Sequence, residues 1–175
     1  MPASVLPRPA LTPDAVRALA DRSVRRESAA SFQALLAAAA DGVGALSVSL
    51  SAAEGAALSL RQRETVAAVR ADLLELCQAL AAGVSVQGRC LVPRRRPADL
   101  IRAMFWPRAA SCPRPTWLGA VGVAVESLGQ TAAHVATLAS AQPAPSSARA
   151  LGDAVAERLR AGRDTLLADV ARLVD

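Results

Sequence analysis

Residues 51–83 read SAAEGAALSLRQRETVAAVRADLLELCQALAAG, and this stretch decides the fold. Leu58, Val66, Val69, Leu73, Leu76, Cys77 and Leu80 recur at three- and four-residue steps, the spacing that gathers side chains on one face of an α-helix. Arg61, Arg63, Glu64, Arg70 and Asp72 occupy the other face, so the apolar stripe needs other helices to cover it. Ser51-Ala-Ala-Glu54 matches a capping box, in which the Ser hydroxyl and the Glu carboxylate each accept from the other residue's backbone N–H. The box predicts a start at Ser51, and Gly83 predicts the C-cap.

Towards the N-terminus, residues 1–11 with Pro2, Pro7 and Pro9 read as an extended arm. Thr12-Pro13-Asp14 is a helix start: Thr as N-cap, Pro at the first helical position and an acid in the first turn. From there Val16, Ala20, Val24, Ser28, Phe32, Leu35, Leu36, Ala39 and Val43 make one face of a long helix, which Asp41-Gly42-Val43-Gly44 frays or ends. Residues 46–51 (LSVSLS) alternate with period two, which alone suggests a short strand. With no partner strand in reach, helix or irregular structure is the preferred reading.

Towards the C-terminus, residues 84–92 alternate around Gly88 and allow a small hairpin. A short helix is expected over 97–106, with Leu100, Ile101, Met104 and Phe105 on one side. A further long helix runs from near Pro115 to Ser140, with Trp117, Val121, Val125, Leu128, Ala132 and Val135 on one face. Residues 141–147 (AQPAPSS) form a connection. The last helix, 148–174, presents Leu151, Val155, Leu159, Leu166, Val170 and Leu173. These elements predict an all-α bundle of four long helices plus one short helix in a Pro/Arg-rich crossover, as a single domain over 12–175.

Composition supports helices: 53% of the 175 residues are hydrophobic but only 2% aromatic, so the core is built from Ala, Leu and Val. All 20 basic residues are Arg, and Lys, Asn and Tyr are absent. Those missing residues share AT-rich codons, which points to a GC-rich genome and strips the choice of Arg over Lys of functional meaning. The N-terminus lacks a basic and then apolar leader pattern. The best candidate span, 117–138, is interrupted by Glu126, Gln130 and His134, so no transmembrane segment is expected. Cys77, Cys90 and Cys112 are odd in number and unpatterned, which fits free thiols in a reducing, intracellular compartment.

Charge is concentrated in one place. Residues 89–117 carry seven Arg against Asp99 alone, a balance of +6, while the whole chain is +5 and the remainder therefore −1. The same window holds both Trp, one of the two Phe and five of the eleven prolines. Arg94, Arg95, Arg96, Arg102, Phe105, Trp106, Arg108 and Arg114 are the candidate partner-binding residues, because Arg and Trp dominate interface hot spots. The alternative partner is nucleic acid or another polyanion, with the arginines on phosphates and Trp106 or Phe105 stacking on bases. An anionic lipid surface is the third reading. Against all three, Phe105 and Trp117 suit a core and the arginines suit a solvated connection.

Chemistry is thinly supplied. His134, the sole histidine, lies off the apolar stripe beside Gln130 and Glu126, where four-residue steps gather polar residues on any solvated face. Cys77 falls on its helix's apolar side, whereas Cys90 and Cys112 flank the arginines, which would lower a thiol pKa. No phosphate loop, dinucleotide fingerprint, nucleophile elbow or zinc motif is present. The sequence therefore predicts a non-enzymatic interaction, scaffold or adaptor protein without cofactor or metal, docking a protein partner or its own copy through 89–117.

Overall fold

The structure, a computed structural model, describes residues 11–24, 29–85, 116–144 and 146–172. It contains five α-helices: α1 (Pro13–Val24), α2 (Ala29–Gly55), α3 (Leu60–Ser85), α4 (Trp117–Ser140) and α5 (Ser147–Ala171). The fold is an all-α helical bundle, with no strand among the described residues. Around the bundle the four long helices follow the order α2, α3, α5, α4, and α1 packs on α3 with a lighter contact to α2.

Cross-helix pairs fix the directions. Arg70 of α3 meets Glu54 of α2, Arg158 of α5 meets Asp72 of α3, and Arg61 of α3 meets Asp169 of α5. Gly42 of α2 lies against Thr131 of α4, while Leu35 of α2 and Ala139 of α4 both lie against Gly152 of α5. Each neighbouring pair is therefore antiparallel, and α3 and α4 run parallel on a diagonal. Ser85 consequently sits at one end of the bundle and Thr116 at the other, so residues 86–115 carry the chain from end to end. The expected hairpin over 84–92 and helix over 97–106 fall almost wholly outside the described residues; Val84 and Ser85 belong to α3.

The helix starts are local chemistry. Thr12 accepts from the Ala15 N–H at 3.3 Å, Thr116 from Gly119 at 3.2 Å and Ser146 from Arg149 at 3.2 Å, each satisfying one of the donors a helix leaves open. The capping box of α3 is Ser59-Leu-Arg-Gln62, not Ser51-Ala-Ala-Glu54. Ser59 Oγ accepts from the Gln62 N–H at 3.2 Å, and Gln62 Oε1 accepts from the Ser59 and Leu58 N–H groups at 3.1 and 2.8 Å. Residues 51–55 instead complete α2, and Leu58, expected on the apolar stripe, is 87% exposed in the turn.

Two further corrections concern glycines. The Asp41-Gly42-Val43-Gly44 stretch does not end a helix, because α2 continues through it and through 46–51 to Gly55. Burial of Val43, Leu46, Leu50 and Ala53 outweighs the ~1 kcal/mol that each mid-helix glycine costs. Gly83 is not a cap either: α3 runs to Ser85, and a Cβ on Gly83 would come within 2.7 Å of Val16 Cγ1. Its missing side chain lets α1 lie close on α3. The expected continuous helix over 12–43 is two helices, since α1 closes at Val24 and α2 opens at Ala29.

The core sits where the stripes meet: Phe32, Leu35, Leu36, Leu46 and Leu50 from α2, Leu73, Leu76 and Leu80 from α3, Leu128 and Val135 from α4, and Leu151, Leu159 and Leu166 from α5. By length and composition, α2 over Phe32–Gly55, and not 117–138, is the stretch apolar enough to cross a membrane among the described residues. In this fold the buried face of α2 forms the bundle core.

Candidate functional site

Arg94, Arg95, Arg96, Arg102, Phe105, Trp106, Arg108 and Arg114 lie outside the described residues. Their flanks are described. On the N-terminal side the segment leaves α3, where Leu80 and Val84 are buried. On the C-terminal side it enters α4 through the Thr116 cap and Trp117, whose ring is buried while its Nε1 finds no acceptor among the described residues. Trp117 is thus core and not part of an exposed aromatic surface, whereas the window containing it, at +6, carries the chain's net positive charge.

The described surface divides by charge. Helices α3 and α5 carry fourteen charged side chains between them, and α2 and α4 carry three, Asp41, Glu54 and Glu126. The α3/α5 seam uses its charges on itself. Arg158 Nε donates to Asp72 Oδ2 at 2.9 Å and Oδ1 at 3.0 Å, and its NH2 reaches Glu75 Oε2 at 3.3 Å. The hydrogen bonds to Asp72, ahead of the nearby carboxylate charges, hold the guanidinium above its ordinary pKa against the opposing effect of burial. Further along, Arg61 Nε stands 3.7 Å from Oδ1 of Asp169, a carboxylate only 5% exposed whose Oδ2 has no hydrogen-bond partner among the described residues. These groups hold two helices together, and their partners are each other.

The α2/α4 seam is different in kind. Val48 lies opposite the buried stripe of α2 and is 73% exposed. At 100° per residue Ala45 and Ala52 lean towards α4, on the flank where Gly42 meets Thr131. Val123, 56% exposed, leans back towards α2, followed along α4 by Ser127, Gln130 and His134. The charged group on this outer strip of α2 is Asp41. Only 33% of the most apolar stretch of α2 is buried, and the residues left wholly or partly uncovered include Ala45, Val48 and Ala52 together with Ser47, Ser49, Ser51 and Asp41. Sequence reading missed this strip because an exposed Val between Ala and Ser breaks no helical pattern. The available signal was the contrast in charge between alternate helices.

The residues weighed for chemistry stay apart. Gln130 Nε2 donates to Glu126 Oε1 at 3.0 Å, and His134 is exposed one turn on, without a bond to either among the described residues. Cys77 is a free thiol half-buried on α3, and burial pushes its pKa up, which makes it a poor nucleophile. Among the described residues no three His, Cys, Asp or Glu side chains come together as a metal site.

The class these features define is an antiparallel four-helix bundle with one end-to-end crossover, flanked by an N-terminal helix. No protein-family model matches the chain, and no curated protein or solved structure matches it either.

Proposed function

We propose that the protein is a non-enzymatic interaction or adaptor protein that docks a protein partner, or its own copy, through the Arg/Trp-rich residues 89–117. One observation carries this reading: the connection holding +6 of charge is tied to opposite ends of a bundle whose cross-helix charges, Arg158 with Asp72 and Glu75 among them, pair with one another. Binding residues concentrate on connections that a rigid scaffold positions. Trp106 and the arginines supply the side chains that dominate protein interfaces. The free Cys77 and the odd cysteine count favour a reducing, intracellular setting.

The charge concentration also supports a second reading, in which the same arginines neutralise a polyanion such as nucleic acid. Recovery of partners from the native host, with and without nuclease, separates the two. A stoichiometric protein partner that survives nuclease, and is lost on Trp106→Ala, fits the first reading. Recovery abolished by nuclease overturns it in favour of the second.

A further inference from the structure

Of the bundle's outer seams, the one between α2 and α4 combines low charge with large exposed apolar side chains, and residues 86–115 must pass along the bundle. We propose that this segment packs in cis along the α2/α4 seam, with Leu100, Ile101, Met104 and Phe105 turned onto Ala45, Val48, Ala52 and Val123. The contact is intramolecular and independent of whether the arginines then bind a partner.

The end points limit the route. Ser85 closes α3 at one end and Thr116 opens α4 at the other, and α3 and α4 lie on a diagonal, so the chain crosses either α2 or α5. The bundle is about 39 Å long at 1.5 Å per residue of α3, and residues 86–115 cover roughly 45 Å even if wholly helical. Reach is therefore available on either side.

Chemistry chooses between them. Crossing α5 lays the segment over Arg158, Asp72 and Glu75, along with Arg160, Asp153 and Asp164. Covering paired charges removes their remaining hydration, which their mutual attraction does not restore. The exposed apolar side chains there, Leu167 of α5 and Leu74 of α3, stand among those charges. Crossing α2 places the segment's apolar residues on Ala45, Val48, Ala52 and Val123, where the neighbouring polar groups are Asp41, Ser127, Gln130 and His134. No ion pair is covered there among the described residues, so apolar area is buried on both sides. The expected apolar side of 97–106 repeats at one- and three-residue steps (Leu100, Ile101, Met104, Phe105), as a helix lying in a groove requires.

Thiol accessibility tests this in the full chain. With Cys77→Ala, Cys90→Ser and Cys112→Ser as background, single cysteines are placed by Val48→Cys or Val123→Cys on the seam. Ala71→Cys and Ala161→Cys provide exposed controls on α3 and α5. The seam thiols should react with a maleimide at least about tenfold more slowly than the controls, at a rate set by local opening. That protection should be independent of protein concentration and be lost when Ile101→Asp and Phe105→Asp are added. Ile101→Ala with Phe105→Ala is the milder pair should the aspartates unfold the chain. Seam thiols reacting as fast as the controls overturn the proposal. So does protection that fades on dilution, which assigns the seam to a second copy, and so does protection that outlasts both segment variants.

Discussion

The α3/α5 and α2/α4 halves of the bundle share a core and differ in almost everything outside it. In the first half charges bridge the seam, and Arg158, Asp72, Glu75, Arg61 and Asp169 are occupied with one another. In the second the seam is lined by Ala, Ser and Val, with large side chains such as Val48 and Val123 left in solvent. A seam whose charges pair across it contributes to holding the fold, whereas an exposed apolar strip offers a surface for another segment to cover. The lesson is that helices with equally good buried stripes can serve different ends, and that the difference lies on their outer faces.

Substitutions can break this comparison. The largest effects should come from the shared core: Leu73→Ala and Leu166→Ala each remove a buried side chain and should cost ~2–5 kcal/mol in urea unfolding. Similar losses would show that α3 and α5 contribute to one core, and a silent variant would put that helix's stripe on the wrong face. Next comes Gly152→Ala, where the new Cβ would lie 2.6 Å from Ala139 Cβ and 3.3 Å from Leu35. Overpacking there should cost about 1–3 kcal/mol despite alanine's better helix propensity, and an unchanged melting temperature would mean that α4 and α5 do not approach so closely.

Smaller effects separate the halves. Arg158→Ala should lose about 1 kcal/mol, because the pair is bidentate yet partly exposed, and part of that loss should vanish in high salt. Val48→Ser should cost more than the ~0.5 kcal/mol that bounds a substitution on an open strip, because residues 86–115 cover it in the free protein, and a smaller change would contradict that packing. Cys77 should alkylate slowly even at a pH where an ordinary thiol is ionised, since burial favours its neutral form, and it should react quickly once the chain is unfolded.

Much of the fold was legible in the sequence, because the stripes through Val66, Val69, Leu73, Leu76 and Leu80, and through Val121, Leu128, Ala132 and Val135, are long and regular. The boundaries were harder for identifiable reasons. Positions 16, 20, 24, 28 and 32 keep one period across the break between α1 and α2, so the pattern hides it. Leu46, Val48 and Leu50 satisfy a period of two, yet Leu46 and Leu50 also lie one helical turn apart, and there Val48 faces out. Two box-like sequences stand eight residues apart, and only the turn at Ala56–Ser59 shows that Ser59 begins the helix. The candidate binding residues were legible as a concentration of charge and tryptophan. Their setting was not, because it depends on which ends of the bundle α3 and α4 present, a matter of topology and not of pattern.

Whether residues 89–117 dock a protein partner is decided by the affinity for the captured partner as salt is raised, in the wild type, in Trp106→Ala, and in a variant combining Arg94→Ala, Arg95→Ala and Arg96→Ala. A docked protein partner should show weak salt dependence and a loss of ~2 kcal/mol or more from Trp106→Ala. A steep fall with salt, its slope reduced by ~0.7–0.9 for each phosphate contact the arginine variant removes, with Trp106→Ala silent, would contradict it.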